Sequence, residues 1–235
     1  LTPALSPFAD LLRAVHAVAG VARIRFTSPH VRFMNEAFVD AICSLPKVCK
    51  AFHIPAQSGS DRILARMRRG YTSADYLRVV ESIRLRVPDA CFSTDVIVGF
   101  PGETEEDFGA TRDLFRTVDP DMAYIFRYSP RSGTKAAEEY VDDVPEEVKH
   151  ERNHVLLDDL ESRARVRNST YVGRRLDILT EGPSKRNRAR WQGRSDGNKV
   201  VIFDPPEGIA RGDQVTVLIR RVTSHSLFGD VVGSV

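Results

Sequence analysis

Cysteine is scarce in this sequence: Cys43, Cys49 and Cys91 are the three among 235 residues. Spaced six and then 42 positions apart, they are too few and too irregular for a disulfide framework, so a reducing cytoplasm is the expected setting. Long apolar runs are missing too. Hydrophobic residues make up 42% and charged residues 28%, and no stretch approaches the length of a bilayer-spanning helix, which leaves the membrane out of the expected partners. The sequence also lacks a signal peptide and an initiator methionine. Its opening at Leu1 makes a piece of a longer protein the expectation.

Net charge is small as well, at +2, but its distribution is uneven: from Ser169 onward eleven Lys and Arg face seven Asp and Glu. The excess gathers in Lys185, Arg186, Arg188, Arg190, Arg194 and Lys199 around the single tryptophan, Trp191. Such a cluster suits a phosphate-bearing partner. A solvated charged face is the other reading.

What the sequence does have is a stretch around which the rest is organised, CFSTDVIVGFPGETEED from Cys91 to Asp107. Val96, Ile97 and Val98 are β-branched and uninterrupted by charge, which predicts a strand of a parallel sheet covered on both faces. Gly99 and Gly102 permit positive φ or close backbone approach, and Pro101 fixes the turn between them. Thr104 then caps a helix whose first turn carries Glu105, Glu106 and Asp107, with Asp107 in the capping-box position. Strand exits of this kind are where α/β sheets hold ligands, although a plain βα turn accounts for this stretch equally well.

Strand and helix alternate over the first two thirds. A helix is expected from Phe8 to Val18, a short strand from Ala22 to Phe26 and a helix from Phe38 to Leu45. The strand Ala51–Ile54 leads through Gln57, Ser58 and Gly59 into a helix from Asp61 to Met67. Another helix, capped at Thr72 or Ser73, runs to Val87. Strand Phe92–Val98, helix Glu105–Thr117 and strand Ala123–Tyr128 complete the set. Four β units with Ser, Gln, Gly and Pro at their exits imply a parallel sheet amounting to about half a closed barrel, with the missing half expected before Leu1. Pro145 to Asn168 predicts a long helix, acidic at its front and arginine-rich at its back, joining two domains.

From Tyr171 the pattern becomes all-β. Leu176–Thr180, Trp191–Arg194, Val200–Phe203, Gln214–Arg221 and Ser226–Val232 predict five short strands, enough for a small barrel of a kind that binds nucleic acid. Its basic loop, Lys185 to Arg190, with Trp191 available to stack, is the expected RNA contact.

Several of these segments carry a resemblance. FHIPAQSGSDRILARMRRGYT from Phe52, then STDVIVGFPGETEEDF, FRYSPRSGT, EGPSKRN and GRSDGNKVVIF resemble, in this order and spacing, the radical-SAM methylthiotransferases, over nearly the whole chain. The terminal barrel resembles the TRAM domain. QSGS, YSPRSGT and the EGPSK-to-GNK tail are most similar to the branch that modifies isopentenylated adenosine beside the anticodon of tRNA. The branch acting on threonylcarbamoyladenosine shares QSGS and is the alternative, as is a cluster-free RNA-binding module.

The resemblance implies a fold: the C-terminal portion of a radical-SAM partial (β/α) barrel over residues 1–144, a connector helix over 145–168 and a TRAM-like five-stranded barrel over 169–235. It implies S-adenosylmethionine at the strand exits, near Gln57, Ser58, Ile97, Gly99, Tyr128 and Ser129, with Ser28 and His30 as weaker candidates. It implies RNA binding by Lys185, Arg186, Arg188, Arg190, Trp191, Arg194 and Lys199. Two 4Fe–4S clusters, a reductant, a sulfur source and the anticodon stem-loop of tRNA belong to the full-length enzyme, in which a 5′-deoxyadenosyl radical would attack an adenine C–H bond. The family's Cys-x3-Cys-x2-Cys loop has no counterpart in the spacing of Cys43, Cys49 and Cys91. The cluster ligands, and with them catalysis, are therefore expected outside this chain, and no catalytic residue is assigned within it.

Overall fold

The structure, a computed structural model, describes residues 6–234. The expected outer domain limits, residues 1 and 235, lie outside the described residues. The chain divides into two compact units, residues 1–48 with 52–160, and residues 49–51 with 161–235.

The first unit opens with α1, Pro7–Ala17, started by Ser6, whose hydroxyl accepts from the Ala9 N–H. The strand expected at 22–26 reduces to one parallel bridge, Ile24 with Val48. Arg23 and Arg25 flank the single buried Ile24, and Ser28 at φ 56° turns the chain away, so too little apolar surface lies on one face to hold a longer pairing. After a single 3-10 turn at Val31–Phe33 come α2, Glu36–Ser44, and β1, Ala51–His53. Helices α3, Asp61–Arg66, and α4, Ser73–Arg86, follow. Thr72 and Asp75 close a capping box at the start of α4.

Strand β2, Cys91–Val98, leads into α5, Glu105–Val118, whose start is a second capping box made by Thr104 and Asp107. Then come β3, Met122–Arg127, and a short α6, Lys135–Glu139, which the sequence pattern does not announce. Helix α7, Glu146–Ser169, contributes its residues up to 160 to this unit. The sheet has the order β1-β2-β3. Strands β2 and β3 run parallel, with Asp95 opposite Tyr124 and Ile97 opposite Phe126.

Strand β2 is covered on one face rather than two. Val96 and Val98 pack on Phe108, Phe115 and Leu156, whereas Asp95 and Ile97 are half-exposed on the opposite face. On that same face β3 shows Met122, Tyr124 and Phe126, each 41–51% exposed. A larger core, built on Phe38, Ile42, Phe52, Ile54, Tyr76, Ile83 and Phe92, joins the helices to the sheet, each such side chain contributing about 1.5–3 kcal/mol.

The second unit is a closed barrel of order β4-β5-β6-β8-β7. Its strands are β4 Arg175–Pro183, β5 Trp191–Arg194, β6 Val200–Phe203, β7 Gln214–Val222 and β8 Leu227–Ser234. Alternation supplies the interior: Ile178, Val201, Phe203, Val215, Val217, Ile219 and Leu227 point inward. Among the described residues no helix is long and apolar enough to cross a membrane.

Candidate functional site

At the carboxyl ends of the three strands the first unit holds a cavity of ≈ 580 Å³ lined by Gln57, Ile97, Tyr128 and Ser129, together with Asp95, Phe100, Phe126, Arg69 and Arg131. Four of the six residues expected at the cofactor thus come together. Gln57 gets there through strained backbone. At φ 68° it donates its N–H to the Asp95 carbonyl at 2.8 Å and accepts from the Ile97 N–H at 2.9 Å, so it extends the pairing to β2 while turning its side chain to the exit. Tyr128 donates its N–H to the Val98 carbonyl and meets Phe100 edge to face at 5.1 Å. Burial, and then the nearby Asp142, push its phenol pKa up, so the ring enters the cavity as a neutral hydrogen-bonding group.

The other two, Ser58 and Gly99, lie behind the wall. Ser58 is 1% exposed; its hydroxyl pairs with that of Thr111 at 3.2 Å and accepts from the Ser60 N–H. Gly59 makes the same loop fit, since a Cβ there would come within 2.4 Å of the Ala110 carbonyl oxygen of α5. Gly99 has φ 71°, and a Cβ on it would lie 2.2 Å from Cγ of Lys149. Its N–H donates to Glu103 Oε1 at 2.8 Å. Lys149 is itself buried and pairs with Asp142 at 2.7 Å and Glu146 at 2.8 Å. Both residues hold the exit loops in place rather than line the cavity.

Asp107 ties those loops together. It accepts from the Ser60 hydroxyl at 2.6 Å, from the Thr104 N–H and hydroxyl at 2.8 Å each, and from Arg62. Burial alone would raise its pKa, but the donors of Arg62, Ser60 and Thr104 outweigh that and hold the carboxyl well below the usual range. Beside it, Glu103 receives Arg152 at 2.8 Å in a pair whose side chains are both nearly inaccessible, and its pKa is raised chiefly by that burial.

Sequence reasoning assigned no role to Asp95, Arg69 or Arg131. The signal for Arg69 was present in Arg66-Met67-Arg68-Arg69, three arginines in four positions just after a strand-exit helix. Arg68 is satisfied by Glu139 at 2.7 Å, whereas the buried Nε of Arg69 has no hydrogen-bond partner among the described residues. His53 and Asp95 form a pair on the open sheet face at 3.4 Å, with Ser93 Oγ 3.0 Å from the other ring nitrogen. Ser28 and His30 stay away from the cavity: Ser28 donates its N–H to the His53 carbonyl, and His30 lines a separate hollow with Phe8, Phe26 and Phe33. Burial lowers the pKa of His30.

In the barrel, Lys185, Arg186 and Arg188 project from an exposed loop closed by the Ser184 N–H donating to the Arg190 carbonyl at 2.8 Å. Arg190 pairs with Asp204 at 2.8 Å, Arg194 with Glu181 at 3.3 Å, and Lys199 donates to Asn168 at 2.8 Å. Trp191 is half-buried against the barrel core. Cys43 sits on α2, Cys49 precedes β1 and Cys91 begins β2. Among the described residues no three His, Cys, Asp or Glu side chains converge to hold a metal ion.

Comparison with known proteins agrees with this architecture. Residues 2–115 match the radical SAM superfamily and residues 169–232 the TRAM domain. The chain is 46% identical over 231 residues to the tRNA-2-methylthio-N(6)-dimethylallyladenosine synthase of Opitutus terrae, covering 98% of this chain and 48% of that protein. It is likewise 46% identical over 222 residues to the protein of the same name from Akkermansia muciniphila, covering 94% and 48%. Among solved structures, coproporphyrinogen III oxidase (HemN) from Escherichia coli, a radical SAM enzyme, superposes with TM-score 0.55 at 12% identity, over 80% of this chain and 50% of that one; this likeness concerns the fold. The chain spans about half the length of the curated relatives it matches. The chain thus matches the radical SAM superfamily in its first half and the TRAM domain near its end, and is similar over nearly all its length to part of the tRNA-2-methylthio-N(6)-dimethylallyladenosine synthases.

Proposed function

We propose that this chain is the C-terminal part of a radical-SAM tRNA methylthiotransferase that acts on N6-isopentenyladenosine beside the anticodon. The observation that carries the reading is similarity at 41–46% identity, continuous through both units, to enzymes of that name. Such an enzyme works on tRNA, which places it in the cytoplasm, and draws on a reductant and a sulfur source.

The donor set of the strand-exit cavity fits S-adenosylmethionine. Ile97 and Phe100 supply apolar wall for a nucleoside, Gln57 and Asp95 supply hydrogen-bonding groups, and the unpartnered buried Nε of Arg69 calls for an acceptor such as a carboxylate. When bound beside a 4Fe–4S cluster, this cofactor supplies the one-electron chemistry that an unactivated adenine C–H bond requires. The chain's own residues do the positioning. Asp107 and Lys149 hold the exit loops from behind, Tyr128 bounds the cavity with its neutral ring, and the exposed Lys185, Arg186 and Arg188 attract the RNA backbone.

The test is anaerobic cluster reconstitution of this chain beside a version extended to the full length of its relatives, followed by mass spectrometry of tRNA isolated from cells lacking the modification. Iron, sulfide and methylthiolated product in the extended protein alone are expected. A stoichiometric cluster in the 235-residue chain would overturn the assignment of the cluster ligands elsewhere, and an extended protein with its clusters but no methylthiolated product would overturn the activity.

A further inference from the structure

We propose that Arg221, held against the ring of Phe228, stacks on a base of single-stranded RNA, and that Phe228 is the positioning residue that presents it. The proposal rests on reading the small barrel as an RNA-binding unit.

The geometry follows from the strand pattern. On β8 the buried Leu227 and Gly229 alternate with Phe228, so the Phe228 ring stands on the outer wall. Arg221 of β7 lies opposite it, just past a register shift at Ile219, and its guanidinium carbon sits 3.8 Å from the ring centroid. Arg190, the residue just before β5, approaches the same ring at 5.9 Å. Arg190 is also the last residue of the exposed basic loop, whose closing hydrogen bond it accepts. The aromatic platform therefore adjoins the loop that carries Lys185, Arg186 and Arg188.

Charge separates Arg221 from its neighbours. Arg190 is neutralised by Asp204 and Arg220 by Asp230, each at 2.8 Å. Arg221 is exposed and has no acidic partner among the described residues. Its guanidinium carbon lies over the Phe228 ring, and the residue as a whole is exposed to solvent. A planar cation fixed in this way offers a base a stacking surface and a phosphate two parallel donors. Holding the guanidinium against the ring beforehand removes part of the ordering cost that a free arginine would meet on binding. An exposed cation–π contact adds little to the stability of the barrel itself, so fold maintenance gives this arrangement little purpose.

The experiment is fluorescence anisotropy of the full 235-residue chain with a labelled anticodon stem-loop RNA, titrated at several salt concentrations. Arg221→Lys keeps the charge but not the plane, and is expected to weaken binding about tenfold with an unchanged salt slope. Phe228→Ala should weaken it similarly, Phe228→Tyr should restore it, and Phe228→Ala combined with Arg221→Lys should cost no more than Arg221→Lys alone. If wild type binds and Arg221→Lys binds equally well, the proposal fails and the RNA reading stands. If wild type does not bind, both fail. Arg221→Lys decides the matter even if Phe228→Ala proves less stable, because residue 221 is exposed on the outer wall.

Discussion

Replacing Asp107 by alanine removes, at one position, the cap of α5 and its tie to the Ser58–Ser60 loop. The capping-box share, the acceptor for the Thr104 N–H and hydroxyl at 2.8 Å, is worth about 1 kcal/mol. The Ser60 hydroxyl donates to an ionised, buried carboxylate at 2.6 Å, a bond of about 1.5–3 kcal/mol. Arg62 is half-exposed and returns to water, so its share is small. Together these give about 3 kcal/mol of lost stability in the α/β unit. Urea unfolding followed by far-ultraviolet circular dichroism reads that unit, which contains most of the helix, whereas fluorescence of Trp191 reads the barrel unit. The dichroism transition is expected to move by about 3 kcal/mol while the tryptophan transition stays in place. The sign with pH follows from the depressed pKa of Asp107. Its contribution is complete above the unfolded carboxylate value of about 3.9 and disappears as pH falls through the lower folded value. The gap between wild type and variant should accordingly narrow in acid. A dichroism shift below about 1 kcal/mol at neutral pH, or a gap that widens in acid, would refute the account.

Three further outcomes are expected. Gly99→Ala places a Cβ 2.2 Å from Lys149 Cγ at φ 71° and should cost about 2 kcal/mol or more by the same unfolding assay. Arg152→Ala strands the buried Glu103 and should cost about 3–5 kcal/mol, whereas Arg152→Ala with Glu103→Gln should recover part of it. Lys185→Glu with Arg186→Glu should weaken binding to the anticodon stem-loop and flatten its salt dependence; an unchanged slope would exclude the loop from the interface.

Features set by neighbours in sequence were legible, and features set across the fold were not. The Thr104–Asp107 box was readable because it needs only a spacing of three positions, and the barrel strands because alternation repeats in each of them. Val96, Ile97 and Val98 were misread as covered on both sides, since an unbroken apolar run does not reveal that Ile97 faces a cavity while its neighbours face α5. The resemblance puts Ser58 and Gly99 near the cofactor, while their packing partners, Thr111 and Lys149, lie about fifty residues downstream and leave no local trace. The strand expected at 22–26 failed because two arginines beside one isoleucine do not build a face. Tyr128, Ile97 and Gln57 entered the cavity because strand exits of a parallel sheet point the same way, a property of topology that alternating strands and helices do announce.

The open face of β2 and β3 has a consequence for handling the isolated chain. Strand β3 closes one end of the sheet, and its Met122, Tyr124 and Phe126 leave 41–51% of their surfaces in water. An apolar, aromatic strand at a sheet margin is a template for pairing with another molecule. The chain on its own should therefore self-associate in a concentration-dependent way, and light scattering should fall when Tyr124 and Phe126 are replaced by lysine and glutamate. The open face of β2 and β3 is thus the surface expected to limit the solubility of this chain.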